Sequence, residues 1–424
     1  MSTRLDSPSP PFADLAATAP DASWMSTLAR RPLRRLVQRL LDGITRGSVS
    51  VQLPDGQWLQ ATAAAPGAQA TVVLHRWRAL GRLLSGGDLG LAESYRDGDW
   101  STPDLLGVME FGLQNESGWG TALQGGRLAR WLARLAHLRR ANTRSGSRDN
   151  ISFHYDMGNA FYAQWLDPSM LYSSAIYAHG EATLEQAQQA RLGRIAELLQ
   201  VPDGGSVLEI GCGWGALAAD LARRHGAQVT GLTLSTEQLA HARERAAAQG
   251  LADRVDLRLQ DYRDVQGRYD RIVSIEMIEA VGEAWWPTYF DTLRQRLADG
   301  GRAVLQVITI DEAHFDSYRR GADFIQRHIF PGGMLPTVTA MREHASAAGL
   351  TLRRDEAFGQ GYALTLAEWR RRFLRAWPTI AAQGFDEPFR RLWEYYLCYC
   401  EAGFRSGRID VGLYTLEPAG ATGG

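Results

Sequence analysis

The chemistry in this chain is concentrated in a short stretch, Ser206-Val-Leu-Glu-Ile-Gly-Cys-Gly-Trp-Gly-Ala-Leu217, where Glu209 and the glycines Gly211, Gly213 and Gly215 join an apolar run to an Ala/Leu-rich one. Glycines at alternate positions permit a tight turn and close backbone approach to a ligand, and a helix that starts there offers free amides. Dinucleotide turns space their glycines G-x-G-x-x-G. The spacing here, G-x-G-x-G after an acid, is the variant expected for S-adenosylmethionine. That ligand ends in an ammonium and a carboxylate, so Glu209 can hold the ammonium directly or through water. The next apolar segment ends in Val229-Thr-Gly-Leu-Thr-Leu-Ser235. Thr233, followed by Leu234, stands where a dinucleotide enzyme places an acid for the ribose, which argues against NAD. Gln238, one turn into the following helix, is within reach of the ribose or else a solvated helix residue, and Ser235 suits the N-cap. In Leu259-Gln-Asp-Tyr-Arg263, Asp261 and Tyr262 are placed to flank the adenine, the acid taking its exocyclic amine.

A second acid, Glu279, follows the apolar strand Arg271 to Ile275, at the carboxyl edge of the sheet where ligands of α/β proteins bind. The elements that must position these groups alternate from about Ser206 as strand, glycine turn, helix, strand, helix, strand, strand, helix, strand. The fold class is therefore α/β, a doubly wound Rossmann-like sheet, with further helices and a final short strand pair after Glu312. Upstream lies a small α+β lobe. Trp24 to Leu41 reads as a basic amphipathic helix, residues 48 to about 85 as short strands with a Pro-Asp-Gly turn at 54–56, and Arg127 to Arg140 as a second basic amphipathic helix. The organisation expected is a disordered leader over 1–20, an N-terminal lobe over 21–140, a linker over 141–150 and a catalytic domain over 151–424.

Composition excludes several classes. The chain has 424 residues and a formal net charge of −1, unlike a dedicated nucleic-acid binder. All 46 basic residues are Arg, so neither a Lys Schiff base nor a P-loop lysine is possible. The three Cys show no metal or redox spacing, which fits a reducing, cytoplasmic setting. No apolar run approaches a membrane span. Yet the first 150 residues carry 18 Arg against 13 acids. A basic lobe with amphipathic helices is expected to sit peripherally on an anionic membrane surface, Leu and Trp entering the interface. A homodimer with two such faces gains avidity, although no sequence feature shows one.

With these motifs in hand, the chain resembles the cyclopropane-fatty-acyl-phospholipid synthases and the related mycolic-acid cyclopropane synthases and methyltransferases. The resemblance runs from about 150 to 415. It rests on the glycine turn, His154-Tyr-Asp-Met-Gly-Asn159, Trp165-Leu-Asp-Pro-Ser-Met-Leu-Tyr-Ser173, Gly231 to Ser235, Gln260 to Asp264, Glu276-Met-Ile-Glu-Ala-Val-Gly282 and Ile329-Phe-Pro-Gly-Gly333. It implies methylation of a cis alkene in an unsaturated phospholipid acyl chain. The resulting carbocation closes to a cyclopropane when the transferred methyl loses a proton; a methyl- or methylene-branched chain is the alternative. A non-catalytic lipid-binding protein is a third reading, against which the intact glycines, Glu279 and Tyr362 stand. Such chemistry needs a base and a dry pocket. The resemblance implies a bicarbonate ion as that base, held by Glu279, Tyr362, a residue at 306, and backbone at Ser174 and Ile308. It also implies that Tyr172 and Ser173 touch the methionine end, and that His154 and Tyr155 border the lipid entrance. Ser174, Gln306 and Ala280 depart from the commonest pattern, in which they are Cys, His and His. Gln306 can donate a hydrogen bond but cannot titrate. For the acyl tunnel the candidates are Phe153, Phe161, Trp165, Phe290, Phe324, Ile329, Phe330 and Met334.

Overall fold

The computed structural model describes residues 27–119, 157–177, 183–321 and 323–420. The leader, the helix expected at Arg127 to Arg140, the linker, Phe153, His154 and Tyr155 lie outside these.

The N-terminal lobe runs α1 (Thr27–Asp42), β1 (Arg46–Gln52), β2 (Trp58–Thr62), β3 (Ala65–Leu74), α2 (Arg78–Arg96), β4 (Trp100–Ser101) and α3 (Leu105–Trp119). Its four-stranded sheet has the order β2-β1-β3-β4. β1 and β2 form the antiparallel hairpin predicted around Pro54-Asp55-Gly56. The strands end at Leu74, earlier than expected. Ala79, Leu80 and Leu83 recur at helical spacing and bury one face of α2, overriding the alternation read there. α1 is the expected amphipathic helix, and its apolar stripe faces inward: Val37 and Leu41 are 3% and 5% exposed and pack in the lobe's core, with Leu33 and Leu36 against them. Arg34, Arg35 and Arg39 remain exposed. Asp99, fully buried, knots the lobe by accepting Arg76 at 3.0 Å and Arg78 at 2.7 Å.

The catalytic part runs α4 (Leu184–Leu199), β5 (Ser206–Ile210), α5 (Ala216–His225), β6 (Gln228–Thr233), α6 (Thr236–Ala248), β7 (Val255–Leu259), β8 (Tyr269–Ile275), α7 (Trp286–Arg296), β9 (Leu297–Ile310), α8 (Val338–Ala347), β10 (Leu350–Ala357), α9 (Gly359–Ala382), α10 (Glu387–Arg405) and β11 (Ile409–Pro418), with shorter helices between. The sheet order is β10-β11-β9-β8-β5-β6-β7. β5 to β9 pair in parallel, and β11 lies antiparallel between β9 and β10. Covered on both faces, β5 is nearly all buried, hence its unbroken Val-Leu-Glu-Ile. From β5 the chain winds outward to β6 and β7 and then returns to β8 on the other side. At that reversal a crevice opens beyond the carboxyl ends of the strands, and Glu209, Thr233, Glu276 and Glu279 all lie at those ends.

Lobe and sheet do not stand apart. α10 packs on α2 and α3, the Tyr95 hydroxyl donates to Glu394 at 3.3 Å, and one apolar core extends from Val37 to Val411. Phe161, Trp165, Trp369 and Trp393 form its aromatic centre, with Phe161–Trp393 and Trp165–Trp369 centroids 5.2 and 5.6 Å apart.

Candidate active site

The glycine turn has the geometry its sequence demands. Gly211 has φ 83°, and a Cβ there would lie 2.5 Å from Met277. Gly215 has φ 78°, and a Cβ would come within 2.9 Å of that of Ala242, so it sets the approach of α5 to α6. The Trp214 indole donates to Asn159 at 2.7 Å, fastening the Met157–Asn159 end of its motif onto the turn. Glu209, on the last turnward residues of β5, is 3% exposed, and its Oε2 has no hydrogen-bond partner. Burial pushes its carboxyl up to about 8, opposed by the Arg191 charge and the Ala218 amide. Arg191, on α4, is 1% exposed and lines the same cavity; its Nη2 is also buried without a partner. One unpartnered oxygen of a buried acid and one unpartnered nitrogen of a buried Arg, beside one glycine turn, match the ammonium and carboxylate of S-adenosylmethionine, so the residues fit that group.

For the nucleoside, Ser235 caps α6 as predicted, accepting from the Gln238 amide at 3.2 Å. Gln238 is buried rather than solvated, and its Oε1 accepts from the Thr233 hydroxyl at 2.9 Å. Thr233, Leu234, Gln238 and Tyr262 line the cavity. Asp261 also has a partner within the chain: its two carboxylate oxygens accept from Arg263 at 2.8 and 2.6 Å. An adenine amine there would share the carboxylate with Arg263.

The second half of the site is organised by a residue that received no role from sequence. Glu276 follows β8 with φ 51°, a left-handed conformation costing about 1 kcal/mol or more for a residue with a Cβ, of the kind that persists where surroundings enforce it. Its own amide donates to the Gln306 carbonyl at 2.8 Å. Its Oε1 accepts from the Ser173 hydroxyl at 2.7 Å, the Ser174 amide at 3.1 Å and the Gln306 side-chain amide at 2.7 Å; its Oε2 accepts from the Tyr362 hydroxyl at 2.8 Å. Arg191 supports this shell from behind, donating to the Ser173 hydroxyl at 3.2 Å and to the Gln306 side-chain Oε1 at 3.3 Å. Tyr172 borders it, its hydroxyl 2.7 Å from that of Tyr396.

Glu279 lies one helical turn further on. One of its oxygens accepts from the Ile308 amide; the other is buried without a partner. Burial, reinforced by the Glu276 charge, pushes its carboxyl up to about 8, which favours the protonated form near neutral pH.

Every group that the resemblance assigned to bicarbonate is thus present, but four of the five are committed. Tyr362, Ser174 and Gln306 donate to Glu276, and Ile308 donates to Glu279. An added anion would meet a carboxylate at the place where it needs donors. The residues do not fit bicarbonate.

Both halves open on one cavity of about 1620 Å³. From the glycine turn, Glu276, Glu279 and Tyr362 it extends past Phe330, Met334 and Tyr396 into the lobe, where Val37, Leu41, Val49, Val51 and Leu74 line it. Of the tunnel candidates described, Phe330 and Met334 are on its wall. Phe161, Trp165, Phe290, Phe324 and Ile329 are at most 1% exposed and belong to the packed core. Glu276 was visible in sequence as the first acid of Glu-x-x-Glu at a strand end. Arg191 was signalled more faintly, by Gln188 and Arg191 interrupting the apolar face of α4.

A sheet with the reversal at β5, one antiparallel strand and a glycine turn matched to a methionine-bearing nucleoside defines an S-adenosylmethionine-dependent methyltransferase. The family model for mycolic acid cyclopropane synthetase matches residues 142–413, and the chain belongs to that family. The tuberculostearic acid methyltransferase UfaA1 of Mycobacterium tuberculosis is 37% identical over 98% of this chain and 96% of its own. The cyclopropane-fatty-acyl-phospholipid synthase of Escherichia coli K12 is 38% identical over 78% of this chain and 83% of its own. Among solved structures, the mycolic acid cyclopropane synthase CmaA1 complexed with SAH and CTAB superposes with a TM-score of 0.60 at 30% identity, covering 63% of this chain and 97% of that one.

Proposed function

We propose that this protein transfers a methyl group from S-adenosylmethionine to the cis alkene of an unsaturated phospholipid acyl chain, the resulting cation closing to a cyclopropane. The observation that carries this reading is the continuous cavity: its apolar far end suits an alkyl chain, and its near end holds the cofactor turn and the carboxyl cluster. The cofactor supplies an electrophilic methyl on a sulfonium. The chain supplies the rest. Glu209 and Arg191 would hold the methionine end, and Thr233, Gln238 and Tyr262 would border the nucleoside. Tyr172 and Tyr362 put aromatic faces around the place where positive charge develops, a favourable interaction in a water-poor site. Tyr362 is itself held in place by stacking on Phe404, centroids 4.4 Å apart. The exposed Arg35 and Arg39 of α1 would meet anionic headgroups at the cytoplasmic face of a membrane, by charge rather than by insertion.

A second reading, a methyl- or methylene-branched product, draws support from the end-to-end likeness to the tuberculostearic acid methyltransferase. Mass spectrometry of lipids after incubating the purified protein with S-adenosylmethionine and liposomes of cis-monounsaturated phospholipid decides between them. A product one CH2 heavier that resists hydrogenation supports the cyclopropane. A product that takes up hydrogen supports a methylene branch. No mass change refutes the acyl-chain reading.

A further inference from the structure

Resting on the reading that a carbocation formed on the acyl chain must lose a proton in this cavity, we propose that Glu276 is the base, a carboxylate built into the chain at the place where a dissolved anion would otherwise be needed. Three observations lead to it. Glu276 lines the cavity beside the cofactor turn. Its four hydrogen-bond partners all donate, three of them to Oε1 and one, Tyr362, to Oε2. Oε2 therefore keeps a lone pair for an incoming proton. Finally, the backbone is held in a left-handed conformation to place this side chain, and Gln306 pins it through both main chain and side chain.

The step balances without an external participant. The alkene π pair forms a carbon–carbon bond to the methyl carbon, and the carbon–sulfur pair leaves with sulfur as the thioether. A proton then passes from the former methyl carbon to Glu276 Oε2, and the freed C–H pair closes the ring or, after a hydride shift, forms a methylene. Solvent recovers the proton when product leaves. Glu279, whose carboxyl burial pushes up to about 8 and one of whose oxygens already accepts from the Ile308 amide, is less available as an acceptor near neutral pH. Tyr362, Ser173 and Gln306 are positioning residues for the base.

The test uses the full-length protein, its Glu276→Gln and Glu276→Gly variants, and CO2-free buffer. Glycine favours φ 51°, so truncation relieves the backbone while opening a slot lined by the donors of Tyr362, Ser173, Ser174 and Gln306. Wild-type turnover is expected to be unchanged by bicarbonate. Glu276→Gln should fall about a thousandfold, the scale of a lost general base, and Glu276→Gly should fall similarly but recover tenfold or more with added formate or bicarbonate. Calorimetry on the protein with S-adenosylmethionine bound should show bicarbonate binding to Glu276→Gly and none to wild type. A wild type that binds bicarbonate, or that slows tenfold in its absence, overturns the proposal; so does wild-type turnover in Glu276→Gln. Should no enzyme form convert the liposomes, the lipid reading fails, and the calorimetric contrast still decides whether Glu276 fills the anion's place.

Discussion

Cofactor binding should be steeply pH-dependent because of Glu209. Its carboxyl, raised to about 8 by burial, is protonated at pH 6, whereas pairing with the cofactor's ammonium requires the carboxylate. Binding must then expel a proton, and affinity should rise about tenfold per pH unit below 8. Between pH 6 and pH 8 the ionised fraction grows from about 1% to about a half, a roughly fiftyfold gain in affinity, or about 2.3 kcal/mol. Isothermal calorimetry in buffers of different ionisation enthalpy measures both the affinity and the proton released, which should approach one per cofactor near pH 6. Glu209→Gln should bind weakly with no such slope. Stability follows the same linkage in the ligand-free protein. A carboxyl whose folded value is raised from 4.5 to about 8 contributes stability below pH 4.5 that is lost as pH climbs to 8. Glu279 contributes likewise, so the variant should flatten the dependence of melting temperature on pH without removing it. A wild-type affinity flat from pH 6 to 8, or an unchanged slope in Glu209→Gln, would refute the assignment.

Other perturbations have equally definite outcomes. Gly211→Ala forces a Cβ against Met277 at a positive φ, and calorimetry should find cofactor binding lost. Asp99→Asn strips a fully buried partner from Arg76 and Arg78; it should cost about 3 kcal/mol in denaturant melts, and a change under 1 kcal/mol would show the cluster to be dispensable. Phe161→Ala empties the aromatic centre and should cost about 3–5 kcal/mol, with a correspondingly large fall in melting temperature.

The sheet was legible because its signals are local: an apolar strand, a glycine turn and a capped helix recur in order, and Ser235 behaves as its type and position require. The placement of the candidate cofactor residues was legible for the same reason, since Glu209, Gly211 and Thr233 sit at strand ends that the period of the chain locates and Gly215 opens the helix after the turn. What escaped was set by tertiary contact. No local pattern says that Asp261 will be claimed by Arg263, or that Glu276 will gather donors from segments around 173, 306 and 362. The stripe of α1 had the right period for lipid or for a core, and only the neighbouring sheet decided. Likewise, aromatic residues in apolar segments serve equally as tunnel wall or packed centre until their burial is known, and Phe161 and Trp165 proved to be the latter.

The core shared by the lobe and α10 has a consequence for how this protein can be cut, fused or recombined. A fragment containing only the methyltransferase sheet would carry α10 with its Tyr95-facing side stripped bare, and would lose the far wall of its own cavity. Exchange of lobes between relatives therefore requires exchange of α10 with them, because a boundary drawn between lobe and sheet would divide a shared core.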